Sequence, residues 1–330
     1  MRSLILVITF SLVACQNIFY RSDLQPPLSS TSDNEAIATQ ATDANLNRPR
    51  RQAVSGVNIT EEVAPIVTSV IAVDDQYSLQ IAHRIPKGEG PFPVIIYVHG
   101  GHRYRSLENR INESLNSPSM TRLLAAGFGI VMASFRSYEQ FEANKRGPVN
   151  DISAILEEVR SLPRIDLNSI IMLGHSSGGR LTLEAAGLPK PPTIIVVSEP
   201  ASTLLAEIFP VPDANENREP YTPNFDVALN VDKYYTAEKQ DILESKVRLI
   251  SSPILLIHSD VHRVNIANDK ILIPALTKYG KLTKEINYPG YEHSYLNGRG
   301  GITEEVMDMI INDIISFSNR YIKVKAIPLL

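Results

Sequence analysis

A serine between two glycines is the residue of this chain best suited to nucleophilic chemistry. The sequence Gly-His-Ser-Ser-Gly at 174–178 follows an apolar run and precedes a segment with helical character. A sharp strand-to-helix turn lifts the central side chain above the sheet, and the helix N-terminus beneath it favours developing negative charge. The pattern predicts Ser176 as a nucleophile. Ser177 is the weaker candidate, because it is out of register with the glycines.

An acyl-transfer site also needs backbone donors for an oxyanion and a general base. The sequence His-Gly-Gly-His at 99–102 ends an earlier apolar run, and its glycines allow close approach of main-chain N–H groups. We expect one donor from Gly101 or His102 and the other from the N–H of Ser177. His293, on a predicted loop after the last core strand, is the candidate base.

Two carboxylates are candidates for orienting this base. Asp260 follows a predicted strand at 254–257, and Glu199 follows one that ends at Val197. Both keep the chain order serine, acid, histidine. His258 and His262 are four residues apart at a strand end rather than on a helix, so we expect no metal pair there. The residues imply no metal and no cofactor.

Predicted strands alternate with predicted helices from about residue 66 onwards. After a hairpin at 66–73 and 77–85, we expect strands at 93–98, 129–133, 169–173, 193–197, 254–257 and 283–288. Helices are expected at 120–126, 149–161, 178–186, 266–278 and 303–321. This alternation predicts an α/β fold with a mostly parallel central sheet covered by helices on both faces. The long stretch between Val197 and Ile254, about 200–250, is interpreted as a lid or pocket wall.

The overall composition excludes several classes of protein. Of 330 residues, 43% are hydrophobic and 21% charged, which is typical of a globular chain. The net charge of −4 gives no general reason to bind nucleic acid. A single cysteine excludes an internal disulfide and a multi-cysteine zinc site.

The N-terminus resembles a bacterial lipoprotein signal peptide. A basic residue and an apolar run lead to Leu-Val-Ala-Cys at 12–15. The resemblance implies cleavage before Cys15 and lipidation of its thiol. We expect a signal peptide at 1–14, a polar tether at 15–60 and the catalytic domain at 61–330, anchored at the bacterial envelope. In a Gram-negative cell this means the outer membrane or periplasmic face. An ordinary secretory signal or a short anchor is the alternative.

From about residue 66 to 321 the chain resembles the α/β-hydrolase superfamily. It looks closest to the prolyl-oligopeptidase and dienelactone-hydrolase-like branches. Three short motifs match: Val-His-Gly-Gly at 98–101, Phe-Arg-Ser at 135–137 and Tyr-Pro-Gly at 288–290, before His293. The longer matching segments are 151–159 leading into 165–166, 174–179 and 253–258. The resemblance implies a serine hydrolase that forms an acyl-enzyme on Ser176.

One position departs from that family pattern. Where the family places its acid after the strand at 254–257, this chain has His262, and Asp260 lies two residues earlier. We prefer Asp260 as the acid because it lies on the loop that the family uses, and Glu199 is the rival.

The expected substrate is a carboxylic ester. A short-peptide or acyl-amino-acid hydrolase is the enzymatic alternative. The family's peptidases carry a β-propeller before the catalytic domain, and we expect none in this chain, which favours the esterase. The unusual His262 motivates a third reading, a catalytically inactive binding protein on the same scaffold.

Overall fold

The structure is a computed structural model. It describes residues 65–74, 77–101, 106–136, 147–208, 225–260, 262–293, 295–298 and 301–322, all within a compact unit spanning 53–330. The predicted signal peptide, Cys15, the tether and His102 lie outside the described residues. None of the described helices is long and apolar enough to cross a membrane.

One sheet of eight strands organises the described part of the chain. The strands are β1 (Val67–Asp74), β2 (Tyr77–Arg84), β3 (Phe92–Val98), β4 (Gly129–Ala133), β5 (Ile165–His175), β6 (Ile194–Ser198), β7 (Ile254–His258) and β8 (Leu282–Asn287). Their order across the sheet is β1-β2-β4-β3-β5-β6-β7-β8. The hairpin β1–β2 joins β4 in antiparallel pairing, and every other neighbouring pair is parallel.

Helices connect the strands. They are α1 (Leu107–Arg110), α2 (Pro118–Ala125), α3 (Gly147–Ser161), α4 (Ser177–Ala185), α5 (Ser202–Leu205), α6 (Phe225–Leu229), α7 (Val231–Tyr234), α8 (Ala237–Leu249), α9 (Arg263–Ala267), α10 (Ile273–Lys278) and α11 (Glu304–Ser318). Short π-helical segments, Ile111–Leu115 and Asn268–Leu272, follow α1 and α9, and a 3-10 turn covers Tyr295–Asn297.

Both faces of the sheet are covered by apolar side chains. Along β3, Val94 and Ile96 belong to a cluster that includes residues of α3, α4 and α8, whereas Ile95 and Tyr97 belong to a cluster that includes residues of α2 and α11. Successive side chains of a strand point to opposite faces, so a continuous apolar strand is what two covered faces require. The predicted α/β-hydrolase architecture is confirmed.

The segment interpreted as a lid contains α5 to α8 among its described residues. Leu243 and Val247 of α8 are fully buried in the core cluster, so this helix is part of the body of the domain. Residues 209–224 of the same segment lie outside the described residues.

The parallel strands bring their carboxyl ends to one edge. His175 at the end of β5 pairs with Ser198 of β6, and Ser198 pairs with Ile257 of β7. Ligand sites of open α/β sheets lie at this edge. The candidate residues Ser176, Glu199 and Asp260 therefore follow neighbouring strands at the same edge.

Candidate active site

Ser176 occupies a sharp turn between β5 and α4. Its φ of 54° and ψ of −120° are a strained conformation for a residue with a side chain. Its N–H donates to the carbonyl oxygen of Ser198 at 3.0 Å, and its own carbonyl oxygen accepts from the N–H of Ala201 at 2.9 Å. The turn is thus held by the end of β6 and the segment that follows it, and Ser176 itself stays partly exposed.

Close backbone approach explains two of the glycines around Ser176. A Cβ on Gly178 would overlap the carbonyl oxygen of Val98, so only glycine lets α4 begin against the end of β3. A Cβ on Gly100 would lie 2.9 Å from the Cβ of Ser176. The loop after β3 therefore contacts the candidate nucleophile directly, as an oxyanion loop must.

A hydrogen bond ties this loop to the start of α4. Ser177 donates from Oγ to the carbonyl oxygen of Gly101 at 2.7 Å. Gly101 has a φ of +99°, a conformation that favours glycine. Ser177 is the first residue of α4, where helix N–H groups lack intrahelical acceptors. The structure brings Gly101 and Ser177 together beside Ser176, whereas His102 lies outside the described residues.

His293 is paired with Glu199. The Nδ1 atom of His293 lies 2.8 Å from Oε2 of Glu199, and this glutamate is fully buried. A proton on Nδ1 leaves Nε2 free to act as a base.

Glu199 is held in place by Ser259, which directly follows β7, and by Asn265 of α9. Its Oε1 atom accepts from Ser259 Oγ at 2.9 Å and from Asn265 Nδ2 at 3.1 Å. Its φ of 46° is unusual for a non-glycine residue, and strain of this kind is concentrated at functional sites. Burial alone would raise the pKa of Glu199, but the hydrogen bond and charge of His293 hold that pKa at about 2. Glu199 is therefore ionised at neutral pH.

Asp260 does not contact His293, and the preference for it as the acid is wrong in this geometry. Its exposed carboxylate accepts from the N–H of Gly290 at 2.7 Å. The chain turns outward immediately after Ser259, so Ser259 faces the site and Asp260 faces solvent. Asp260 thus binds the loop that leads to His293, and Glu199 is the carboxylate that lies beside the His293 ring.

Two further imidazoles contact His293. The ring centroids of His175 and His293 are 4.7 Å apart. The ring of His262 stacks on that of His293, with centroids 4.0 Å apart and an interplanar angle of 16°. Burial and the charge of His293 lower the pKa of His175 to about 3 and that of His262 to about 4. Both rings are neutral at neutral pH. Sequence reasoning missed these contacts and those of Ser259 and Asn265, because no local pattern marks them.

The buried, neutral His175 predicts a pH dependence of stability. The unfolded chain binds a proton at this residue below about pH 6.5, whereas the folded chain does not until about pH 3, so stability is lost as the pH falls. Between pH 6 and pH 5 we expect the unfolding free energy of wild type to fall by about 1 kcal/mol more than that of His175→Gln. Urea unfolding at both pH values measures this, and an unchanged difference between the two proteins would contradict a neutral buried His175.

Three residues of the site, His175, Glu199 and His293, are also potential metal ligands. Ligand atoms of His175, Glu199 and His293 lie within 4.8 Å of one another. A tetrahedral ion with bonds of about 2.0–2.1 Å separates its ligands by about 3.3 Å. The 2.8 Å contact between Glu199 and His293 is shorter and suits a shared proton rather than an ion. The geometry favours an acid–base pair.

Two sequence comparisons gave a match, one with a family and one with a single protein. The BD-FAE family matches residues 82–248. Esterase EstD of Thermotoga maritima is 29% identical over 159 residues, which cover 45% of this chain and 35% of EstD. The chain therefore spans about a third of the length of this relative.

Solved structures share the fold at low identity. Pyrococcus horikoshii acylaminoacyl peptidase matches with a TM-score of 0.58 and 18% identity, over 81% of this chain and 43% of that chain. The hyperthermophilic esterase from Pyrobaculum calidifontis matches with a TM-score of 0.56 and 18% identity, over 78% of this chain and 85% of that chain. Because the matched family segment covers about half of the chain and the fold agrees, this protein belongs to the BD-FAE family within the α/β-hydrolase superfamily.

Proposed function

We propose that the protein is a serine hydrolase that cleaves carboxylic esters through an acyl-enzyme on Ser176. The observation that carries this proposal is the buried Glu199 paired at 2.8 Å with His293, at the edge of the sheet where Ser176 lies on its strained turn. A nucleophile, a base and an orienting carboxylate at one sheet edge are the parts that acyl transfer requires.

The chemistry proceeds in two steps. Ser176 Oγ attacks the ester carbonyl carbon while Nε2 of His293 takes its proton, and the negative charge on the carbonyl oxygen is held by the N–H of Ser177 and an N–H of the loop after β3. His293 then returns the proton to the departing alcohol, which leaves the acyl group on Ser176. Water, deprotonated by His293, releases the carboxylic acid and restores the serine. Glu199 stabilises the imidazolium that forms in each step.

The assembled site argues against the reading as an inactive binding protein. That reading rested on His262 at the position where a related enzyme has its acid. Glu199 supplies a buried carboxylate to His293 from a different strand, so His262 does not leave the base without a partner. The name of the relative EstD favours an ester over an amide as substrate.

Substrate class is tested by comparing esters with amides on the full chain. We expect turnover of p-nitrophenyl acetate, butyrate or octanoate that is lost in the Ser176→Ala control, and far slower cleavage of aminoacyl-naphthylamides. Faster cleavage of the amides would replace the esterase proposal by the peptidase alternative. No Ser176-dependent turnover of either class would overturn the proposed function.

We also propose that the protein is lipid-anchored at the bacterial envelope through Cys15, on the basis of the sequence at 12–15. Cys15→Ser removes the thiol that would be acylated. We expect the variant to remain uncleaved or to be released from the membrane fraction, whereas Ser11→Ala, a matched control upstream of the cysteine, behaves as wild type. Fractionation with immunoblotting measures this. A Cys15→Ser protein that fractionates and migrates like wild type would contradict the anchor.

A further inference from the structure

His293 lies on a loop, and its ring needs support from outside that loop. Residues upstream of it are tethered, since the N–H of Tyr288 donates to His258 at 2.8 Å and the N–H of Gly290 donates to Asp260 at 2.7 Å. These contacts fix the main chain. The plane of the imidazole is set by what touches the ring itself.

We propose that His262 is a positioning residue whose ring, stacked on His293, holds that imidazole in the plane in which Nδ1 faces Glu199 and Nε2 can take the proton of Ser176. The ring centroids are 4.0 Å apart and the planes differ by 16°. Such a parallel stack restricts rotation about the bond between Cβ and the ring of His293. The inference rests on the proposed role of His293 as general base.

The ring of His262 is itself held by its main chain. His262 is the N-cap of α9, and the N–H of Val264 donates to its Nδ1 at 3.3 Å. This bond requires an unprotonated Nδ1 and fixes the tautomer. This hydrogen bond therefore fixes the orientation of the His262 ring, so that the ring can in turn fix the orientation of His293.

The same helix also orients the carboxylate. Asn265, the third residue of α9, donates from Nδ2 to Glu199 at 3.1 Å. Its main-chain N–H donates to the carbonyl oxygen of His262 at 3.0 Å. One short helix thus contacts both members of the acid–base pair, Glu199 through Asn265 and His293 through His262. Their relative placement depends on this helix.

Burial leaves the ring of His262 neutral. Desolvation is the largest cause that lowers the pKa of His262 to about 4; the positive charges of His293 and Arg263 lower it further, whereas the charge of Glu199 raises it. His262 therefore acts through its shape and its ring face rather than as a second base.

Two substitutions separate the stack from the helix cap. His262→Asn keeps a side-chain acceptor for the N–H of Val264 but removes the ring, whereas His262→Phe keeps a flat ring but removes the acceptor. We expect the Asn variant to keep the melting temperature and lose about tenfold to a hundredfold in kcat with little change in KM, since small misplacements of reacting groups cost this much. The Phe variant should melt lower and keep kcat within about threefold.

The measurement is ester turnover and thermal unfolding of the full chain, with His83→Asn on β2 as the matched control for losing a histidine elsewhere. Unchanged kcat in His262→Asn would overturn the proposal, as would equal losses in the Asn and Phe variants. If His262 acted only as a helix cap, His262→Phe would lose more kcat than His262→Asn. If wild type itself shows no Ser176-dependent turnover, the proposed function fails instead, so the two failures are distinguishable.

Discussion

Ser176→Ala should lower kcat for ester hydrolysis by a factor on the order of 10⁴–10⁶. The substitution removes the oxygen that would bond to the acyl carbon and leaves the strained turn and its hydrogen bonds to Ser198 and Ala201 in place. Steady-state kinetics with a p-nitrophenyl ester measures the loss. Circular dichroism and thermal unfolding of the same sample show that the variant is folded.

Ser177→Ala is the matched control for this prediction. It removes a hydroxyl from the adjacent residue and with it the 2.7 Å hydrogen bond to Gly101, but the N–H of Ser177 is unchanged. Because one hydrogen bond is worth about 1 kcal/mol, the loss in kcat should be about tenfold or less. A larger loss of kcat in Ser177→Ala than in Ser176→Ala would show that Ser177, and not Ser176, is the nucleophile.

Glu199→Gln should lower kcat by a factor on the order of 10⁴. Glutamine has nearly the shape of glutamate, so Ser259 and Asn265 still have an oxygen to donate to. The amide carries no charge to stabilise the imidazolium of His293, and its NH₂ group in the position of Oε2 would favour the wrong tautomer of the ring. Ester kinetics at constant pH measures the effect.

Asp260→Asn is the paired control and should cost less than about tenfold. The asparagine oxygen still accepts from the N–H of Gly290, and the contact is exposed, so losing the charge has a small effect. A large loss from Asp260→Asn together with normal activity of Glu199→Gln would return the acid to Asp260. Losses of equal size would mean that the loop leading to His293 depends on Asp260 more than its hydrogen bond implies.

The architecture was predictable because its determinants are local. Continuous apolar runs such as the one at 93–98 predict strands buried on both faces, and β3 to β8 lie close to where these runs place them. Element ends differ by a few residues. β5 begins at Ile165 rather than 169, because its first residue still pairs with Phe92 of β3 although Leu167 and Asn168 are exposed.

The candidate site was predictable only where a motif encodes its own geometry. Ser176 follows from the glycines at 174 and 178, since the tight turn and the close helix approach both require them. The acid does not follow from any local pattern. Whether Asp260 or Glu199 reaches His293 depends on the direction in which the chain leaves β7, and that direction is set by Ser259 and Asn265, which bind Glu199 from other elements.

The most direct test of the central claim is covalent labelling of the full chain by a fluorophosphonate probe, read by intact mass and peptide mapping. The phosphorus reacts with a serine only where a base takes the hydroxyl proton and an oxyanion site holds the phosphoryl oxygen. An active site of the kind described predicts one probe per chain, attached at Ser176, slower labelling in Glu199→Gln and none in Ser176→Ala. A folded wild-type chain that stays unlabelled, or that is labelled equally in Ser176→Ala, would contradict it.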